Sequence, residues 1–220
     1  NNATIKAGTV ANIVANTVET SGTLESVGDL TVTANTFGNS GTLTGYDLSF
    51  ATADGGLMTD WRNTDRLLAN GQLSINTNTL KNLGGTVIAL DTAVIDAGSL
   101  YNSGTLMTGG NLIVDASNIV DNDNGLIQSY GYFSIDTANS LSNKGGSIVS
   151  SYVTLGYSGV GTTFDETNYD SLGSFDLPSF SINRFSSEST LTQNQIRVAN
   201  GALDNDGGEI RVDSSVVLDL

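Results

Sequence analysis

The chain contains no cysteine and no histidine among its 220 residues. Without cysteine there is neither a disulfide framework nor a thiolate metal site. Without histidine a Ser-His-Asp triad is impossible, and no cysteine nucleophile stands in for it. The lack of cysteine also suits a chain that is exported unfolded and folds outside the cell. Proline occurs once, at Pro178. Positive charge is scarce: eight Lys and Arg stand against 23 Asp and Glu, a net charge of −15. Nucleic acid and anionic lipid both require positive patches, so this balance opposes either partner. The acids are scattered rather than run together, and read as a solvated face. No apolar run approaches the length of a membrane span, no signal peptide is evident, and no stretch keeps a helical period.

What the chain has instead is a phrase repeated at a nearly fixed interval. An apolar-x-apolar triplet is followed, after a few residues, by apolar-x-Asn and then Gly-x-apolar. One copy reads Leu30-Thr31-Val32, Phe37-Gly38-Asn39, Gly41-Thr42-Leu43. Others run Leu73-Ser74-Ile75, Leu80-Lys81-Asn82, Gly85-Thr86-Val87 and Leu112-Ile113-Val114, Val120-Asp121-Asn122, Gly125-Leu126-Ile127. A fourth is Phe133-Ser134-Ile135, Leu141-Ser142-Asn143, Gly146-Ser147-Ile148. Triplets fall at 11–13, 30–32, 48–50, 73–75, 93–95, 112–114, 133–135, 153–155, 196–198 and 216–218, mostly 18 to 21 residues apart. A fixed period of this length marks a solenoid, because one unit cannot bury its apolar face without a neighbour.

About twenty residues with period-2 alternation and glycine-rich joints make one coil. The expected fold is therefore all-β: a right-handed parallel β-helix of about ten coils with two loop insertions. It would be a single β-helix segment spanning 1–220. Leu30, Val32, Phe37, Leu43, Leu73, Ile75, Leu80 and Val87 are assigned to the core, and the intervening residues to the outside. The recurrent Asn39, Asn82, Asn102, Asn122, Asn143 and Asn205 are assigned to one corner. Asn and Gly both tolerate the left-handed backbone expected at a sharp corner, and stacked amides can bond along the axis. These six are read as a structural ladder rather than as ligands. The phrase stops after Val216-Val217-Leu218, so the chain is expected to be a piece of a longer rod.

The phrase resembles the filamentous haemagglutinin-type repeat of large bacterial two-partner secretion exoproteins. Residues 73–148, with Asn82-Leu83-Gly84-Gly85, Asn102-Ser103-Gly104 and Asn143-Lys144-Gly145-Gly146, carry the nearest match. The resemblance implies a secreted or bacterial cell-surface protein, a rod segment of an adhesin. Its partners would be a receptor or glycan on a host or neighbouring cell, and a cognate outer-membrane transporter for the full-length protein. The same rod also serves contact-dependent growth inhibition effectors, a second reading that a distant toxin domain would identify. The Asn-Pro-rich motifs of that family's secretion domain are absent, which places this segment downstream of it.

A site is expected where the repeat breaks. The larger break leaves a surplus at about 163–187, which holds Phe164, Tyr169, Phe175, Phe180, Arg184 and Phe185. Aromatics beside an arginine are common anchors of binding hot spots. The alternative is a loop whose aromatics pack on the flank. The smaller break, 51–70, carries Trp61 and Arg62, read either as a sugar- or partner-stacking pair or as a packed corner. Asp165, Glu166, Asp170 and Asp176 would suit a third reading, a polysaccharide-active enzyme, only at the separation that glycoside hydrolysis demands. Clustered loop acids are more often solvated, so no catalytic set is assigned and the chain reads as a non-enzyme. Asp121–Gly125 and Asp204–Glu209 resemble the start of Ca²⁺ loops, but turn chemistry accounts for both. No metal and no cofactor is assigned.

Overall fold

The computed structural model describes residues 2–150, 193–212 and 216–219. Every described strand pairs in parallel with the equivalent strand one turn away, and no helix occurs among the described residues. Each turn carries three short strands, so the stack has three faces. The first face is a nine-stranded sheet running from Thr4–Ala7 through Thr42–Gly45 and Thr86–Ala89 to Glu209–Val212. The second begins at Ala11–Val14 and ends at Val216–Asp219, and the third begins at Thr17–Thr20 and ends at Ala202–Asp204. In the middle of the stack the second and third faces fuse. There Leu73–Asn82, Ala93–Asn102 and Leu112–Asp121 each run as one ten-residue strand. The fold is the expected parallel β-helix.

The stack has about nine turns rather than ten. The triplet at 153–155 lies outside the described residues, and the strands on either side of it bond directly. Phe133–Thr137 pairs with Asn194–Val198, setting Ile135 against Ile196. Ser147–Ser150 likewise pairs with Glu209–Val212. No rung separates them, so the interruption that begins after Ser150 hangs between two consecutive turns. At roughly 4.8 Å per rung, nine turns make a column about 40 Å long.

Side-chain alternation supplies the core. Leu112, Val114, Phe133 and Ile135 are buried, whereas Ile113 is half-exposed on the outer side, which confirms the register read from the triplets. One continuous apolar cluster runs from Leu24 to Val198. Each fully buried Leu, Ile, Val or Phe stabilises the fold by roughly 1.5–3 kcal/mol. The inward file at the end of the first-face strands uses small residues: Ser26, Gly45, Ala69, Ala89, Thr108, Ser129 and Ser150. The corner narrows there. A Cβ on Gly45 would press on the Leu48 side chain at 2.6 Å and on Leu30 at 3.1 Å.

The break at 51–70 is smaller than the sequence reading makes it. The apolar-x-Asn step is present as Trp61-Arg62-Asn63, which pairs with Phe37-Gly38-Asn39 below and Leu80-Lys81-Asn82 above. Only the connection between Leu48–Ala51 and Asp60–Asn63 is lengthened. It turns at Gly55, whose φ of +75° suits glycine. Met58 at its end drops into the core and bridges to Thr77.

Candidate functional site

The asparagine corner is built from the third-face strands, each of which ends on the ladder residue. Asn39 donates to Asn63 Oδ1 at 2.8 Å, Asn63 to Asn82 at 2.9 Å and Asn82 to Asn102 at 2.8 Å. Asn102 donates to Asn122 at 2.7 Å, Asn122 to Asn143 at 2.7 Å and Asn143 to Asn205 at 2.6 Å. Each Nδ2 also faces main-chain carbonyls, such as Gly85 and Thr105 for Asn82, and this fixes the direction of the amide. All seven lie on one line, and every bond points toward the C-terminal end. The six residues expected in the ladder are there, and Asn63 is a seventh.

The reason offered for asparagine at this corner needs correction. None of the ladder residues has positive φ; Asn124, at 59°, is the only non-glycine that does among the described residues. The left-handed residue instead sits just before the close-packed glycine. It is Gly84, Asn124, Gly145 or Gly207, and it occurs where the corner holds four residues. The following glycine is demanded by space. A Cβ on Gly104, Gly125 or Gly146 would collide with a main-chain carbonyl oxygen of the preceding coil. Asparagine is required for its amide, which both donates and accepts within a buried line.

Trp61 is not a recognition residue. Its side chain is 0% exposed and packs against Phe37 and Phe50, with ring centroids 5.5 and 5.6 Å away. It occupies the inward position that Phe37 and Leu80 hold in the neighbouring turns. Arg62, the next residue, points outward and is exposed. It stands in a column with Gly38, Lys81 and Tyr101 on the third face. Lys81 bonds to Asp60 at 2.6 Å. Among the described residues the Arg62 side chain makes no hydrogen bond or ion pair. The two residues therefore belong to opposite sides of one strand and do not form a joint stacking pair.

The stretches that resemble Ca²⁺ loops use their oxygens on the chain itself. Asp121 Oδ1 accepts from Asp123 N at 3.0 Å and Asp204 Oδ1 from Asp206 N at 3.3 Å. Asp123 Oδ1 accepts from Ser142 Oγ and from Lys144 N. Lys144 also pairs with Asp204 at 2.8 Å. This bond holds the Asp204 carboxyl below the usual range and raises the Lys144 ammonium. Among the described residues no group of three or more acids is placed to hold a metal ion.

The outer faces carry columns set by strand register. On the second face Asp96, Asp115 and Asp136 rise one rung apart and end under Arg197. Arg197 bridges Asp136 at 3.0 Å and Asp219 at 3.5 Å, and Asp136 raises its pKa. On the first face Leu68, Ile88 and Met107 form an apolar column that the sequence reading missed. The signal lay in apolar doublets, Leu67-Leu68, Val87-Ile88 and Leu106-Met107, which break the alternation. Phe164, Tyr169, Phe175, Phe180, Arg184 and Phe185 lie outside the described residues, as do Asp165, Glu166, Asp170 and Asp176. What the described surface offers chemically is ordered presentation: flat, ladder-bonded columns of side chains on a stiff support.

Comparisons with models of known protein families, with curated proteins and with solved structures find no match to this chain.

Proposed function

We propose that this chain is a rod segment of a secreted bacterial surface adhesin, a stalk that carries a contact for a receptor or glycan in the 163–187 insertion. The observation that supports it is the uninterrupted stack: one apolar cluster and one asparagine line run through successive turns. Such a stack holds its length without a globular partner. Its outer residues are mostly Thr, Ser, Asn and Asp, which suits a solvated shaft. The repeat's resemblance to filamentous haemagglutinin-type sequences adds the secretion route and the bacterial surface. With a net charge of −15 the shaft would be repelled by anionic membranes and nucleic acid, leaving a carbohydrate or protein as the partner.

The test is attachment. The 220-residue fragment, fluorescently labelled, is incubated with epithelial and bacterial cells and with an array of glycans. Binding is compared with that of a variant lacking 163–187. Saturable binding that the deletion abolishes, with the β-sheet spectrum of the rod retained, is the expected result. Equal binding by the two forms would take the insertion out of the reading, and no binding by either would remove the adhesive role.

A further inference from the structure

The first face carries a second apolar surface on its outer side. Strand register stacks Thr44, Leu68, Ile88, Met107, Gln128, Val149 and Arg211 in one outward column. Leu68, Ile88 and Met107 form a cluster separate from the core, with Leu90 and Tyr130 packed beside it. The column is polar at both ends and apolar in the middle, so it is a bounded patch.

These residues point away from the core, yet they are not exposed. Ile88 is 3% exposed, Met107 3% and Leu68 5%. Val94 is a fair control. It is an outward β-branched residue on the second face, also flanked by rungs above and below, and it is 41% exposed. Rung neighbours alone therefore do not bury an outward side chain on this shaft. Arg66, beside Leu68 at the head of the patch, is also desolvated: burial pushes its guanidinium pKa down, against the pull of Asp65. Something lies over this face.

We propose that the outer apolar column of the first face is the docking surface for the chain's own residues 151–192. Three observations favour this occupant. The segment departs from Ser150, the end of the strand Ser147–Ser150 that contributes Val149 to the column. It is 42 residues long. The column from Leu68 to Val149 spans four rung spacings, about 19 Å, which six or seven extended residues already reach. Its composition also complements the patch. It carries four of the seven Phe residues, to meet Leu68, Ile88 and Met107, and five acids, to meet Arg66. An apolar patch left open on a soluble shaft would drive association. The inference stands apart from the adhesive reading, since a segment can dock whether or not it binds a receptor.

The absence of cysteine allows a direct test. Met107→Cys and Val94→Cys are made singly in the full chain, and their reaction with a small maleimide is followed at several protein concentrations. Met107→Cys should react at least about tenfold more slowly than Val94→Cys, because thiol reactivity follows access. The protection should not depend on concentration. It should disappear when Phe164, Phe175, Phe180 and Phe185 are replaced by Ser in the same chain, a change that leaves every described rung intact. Equal rates in the parent chain would overturn the proposal. Protection that grows with concentration would assign the patch to a second copy. Protection that survives the Phe replacements in a still-monomeric chain would also refute docking by this segment.

Discussion

Asn102→Ala probes the stack at its most connected point. The Asn102 amide donates to Asn122 Oδ1 at 2.7 Å and to the Leu126 carbonyl at 3.1 Å, and it accepts from Asn82 at 2.8 Å. Three buried hydrogen bonds are lost, each worth about 1 kcal/mol net. The two neighbours then fare differently. Asn82 keeps the Gly85 and Thr105 carbonyls as acceptors, whereas Asn122 Oδ1 loses the donor that faces it inside the protein. A buried acceptor left unpaired costs a further 1–3 kcal/mol or so. The expected loss is therefore about 4 kcal/mol, a large fraction of a typical stability. Asn205→Ala is the internal control. Asn205 ends the line half-buried, where water can replace what is removed, and it should lose only about 1 kcal/mol. Urea unfolding followed by far-UV circular dichroism measures both. A loss at Asn102 below about 1.5 kcal/mol, or equal to that at Asn205, would refute the view that the amides act as a continuous line.

Four further expectations follow from the same geometry. Trp61→Ala should cost roughly 3–5 kcal/mol in thermal or urea unfolding, while Arg62→Ala should stay within about 0.5 kcal/mol; the reverse would restore Trp61 as a surface residue. Gly104→Ala drives a Cβ into the Gly85 carbonyl and should prevent a stable fold, whereas Gly84→Ala has open space but a φ of +71° and should cost about 1 kcal/mol in the same melts. Thr20 is the register partner of Asn39 and has a buried, unpartnered Oγ1, so Thr20→Asn should extend the line and raise stability by about 1 kcal/mol, with slower amide exchange in the first turns. Asp204 is held below its ordinary pKa by Lys144, so the pair's contribution is present above the unfolded carboxylate value and fades as pH falls through the depressed one. Lys144→Met should return the Asp204 carboxyl to the ordinary range in an NMR titration.

The legible part of the sequence was the part in which inward and outward positions use different residues. Triplets such as Leu112-Ile113-Val114 and the spacing to Asn122 fix register, because a one-residue slip would turn the whole apolar set outward. Asn63 was not recognised, because the longer connection after Ala51 shifts it and because Trp61 stands where other coils have Leu or Phe. Tryptophan beside arginine has the look of a contact pair, but strand alternation puts neighbours on opposite sides, and that rule outranks composition. The rung expected at 153–155 failed for another reason. An apolar-x-apolar triplet is necessary for a coil but does not show which strand lies next to it. Pairing of Ile135 with Ile196 is a long-range fact that a local pattern does not carry. The outer column of Leu68, Ile88 and Met107 was hidden because each residue, read alone, passes as part of a core doublet.

The ladder also explains how so regular a stack accommodates irregular inserts. Asn82 and Asn102 are 20 residues apart and bonded at 2.8 Å. Asn39 and Asn63 are 24 apart and also bonded at 2.8 Å, although the turn between them carries a lengthened connection. Asn143 and Asn205 are 62 apart and bonded at 2.6 Å. Chain length between rungs thus varies about threefold while the corner contact barely changes. Loop-closure entropy rises only with the logarithm of length, so the excursion after Ser150 costs little more than an ordinary turn. The registering bonds sit at one corner, and the extra residues leave the turn elsewhere. A column built this way can host a long segment beside any of its faces without disturbing the core. The place where such a segment settles is then decided by the outer columns, of which Leu68, Ile88 and Met107 form the apolar one.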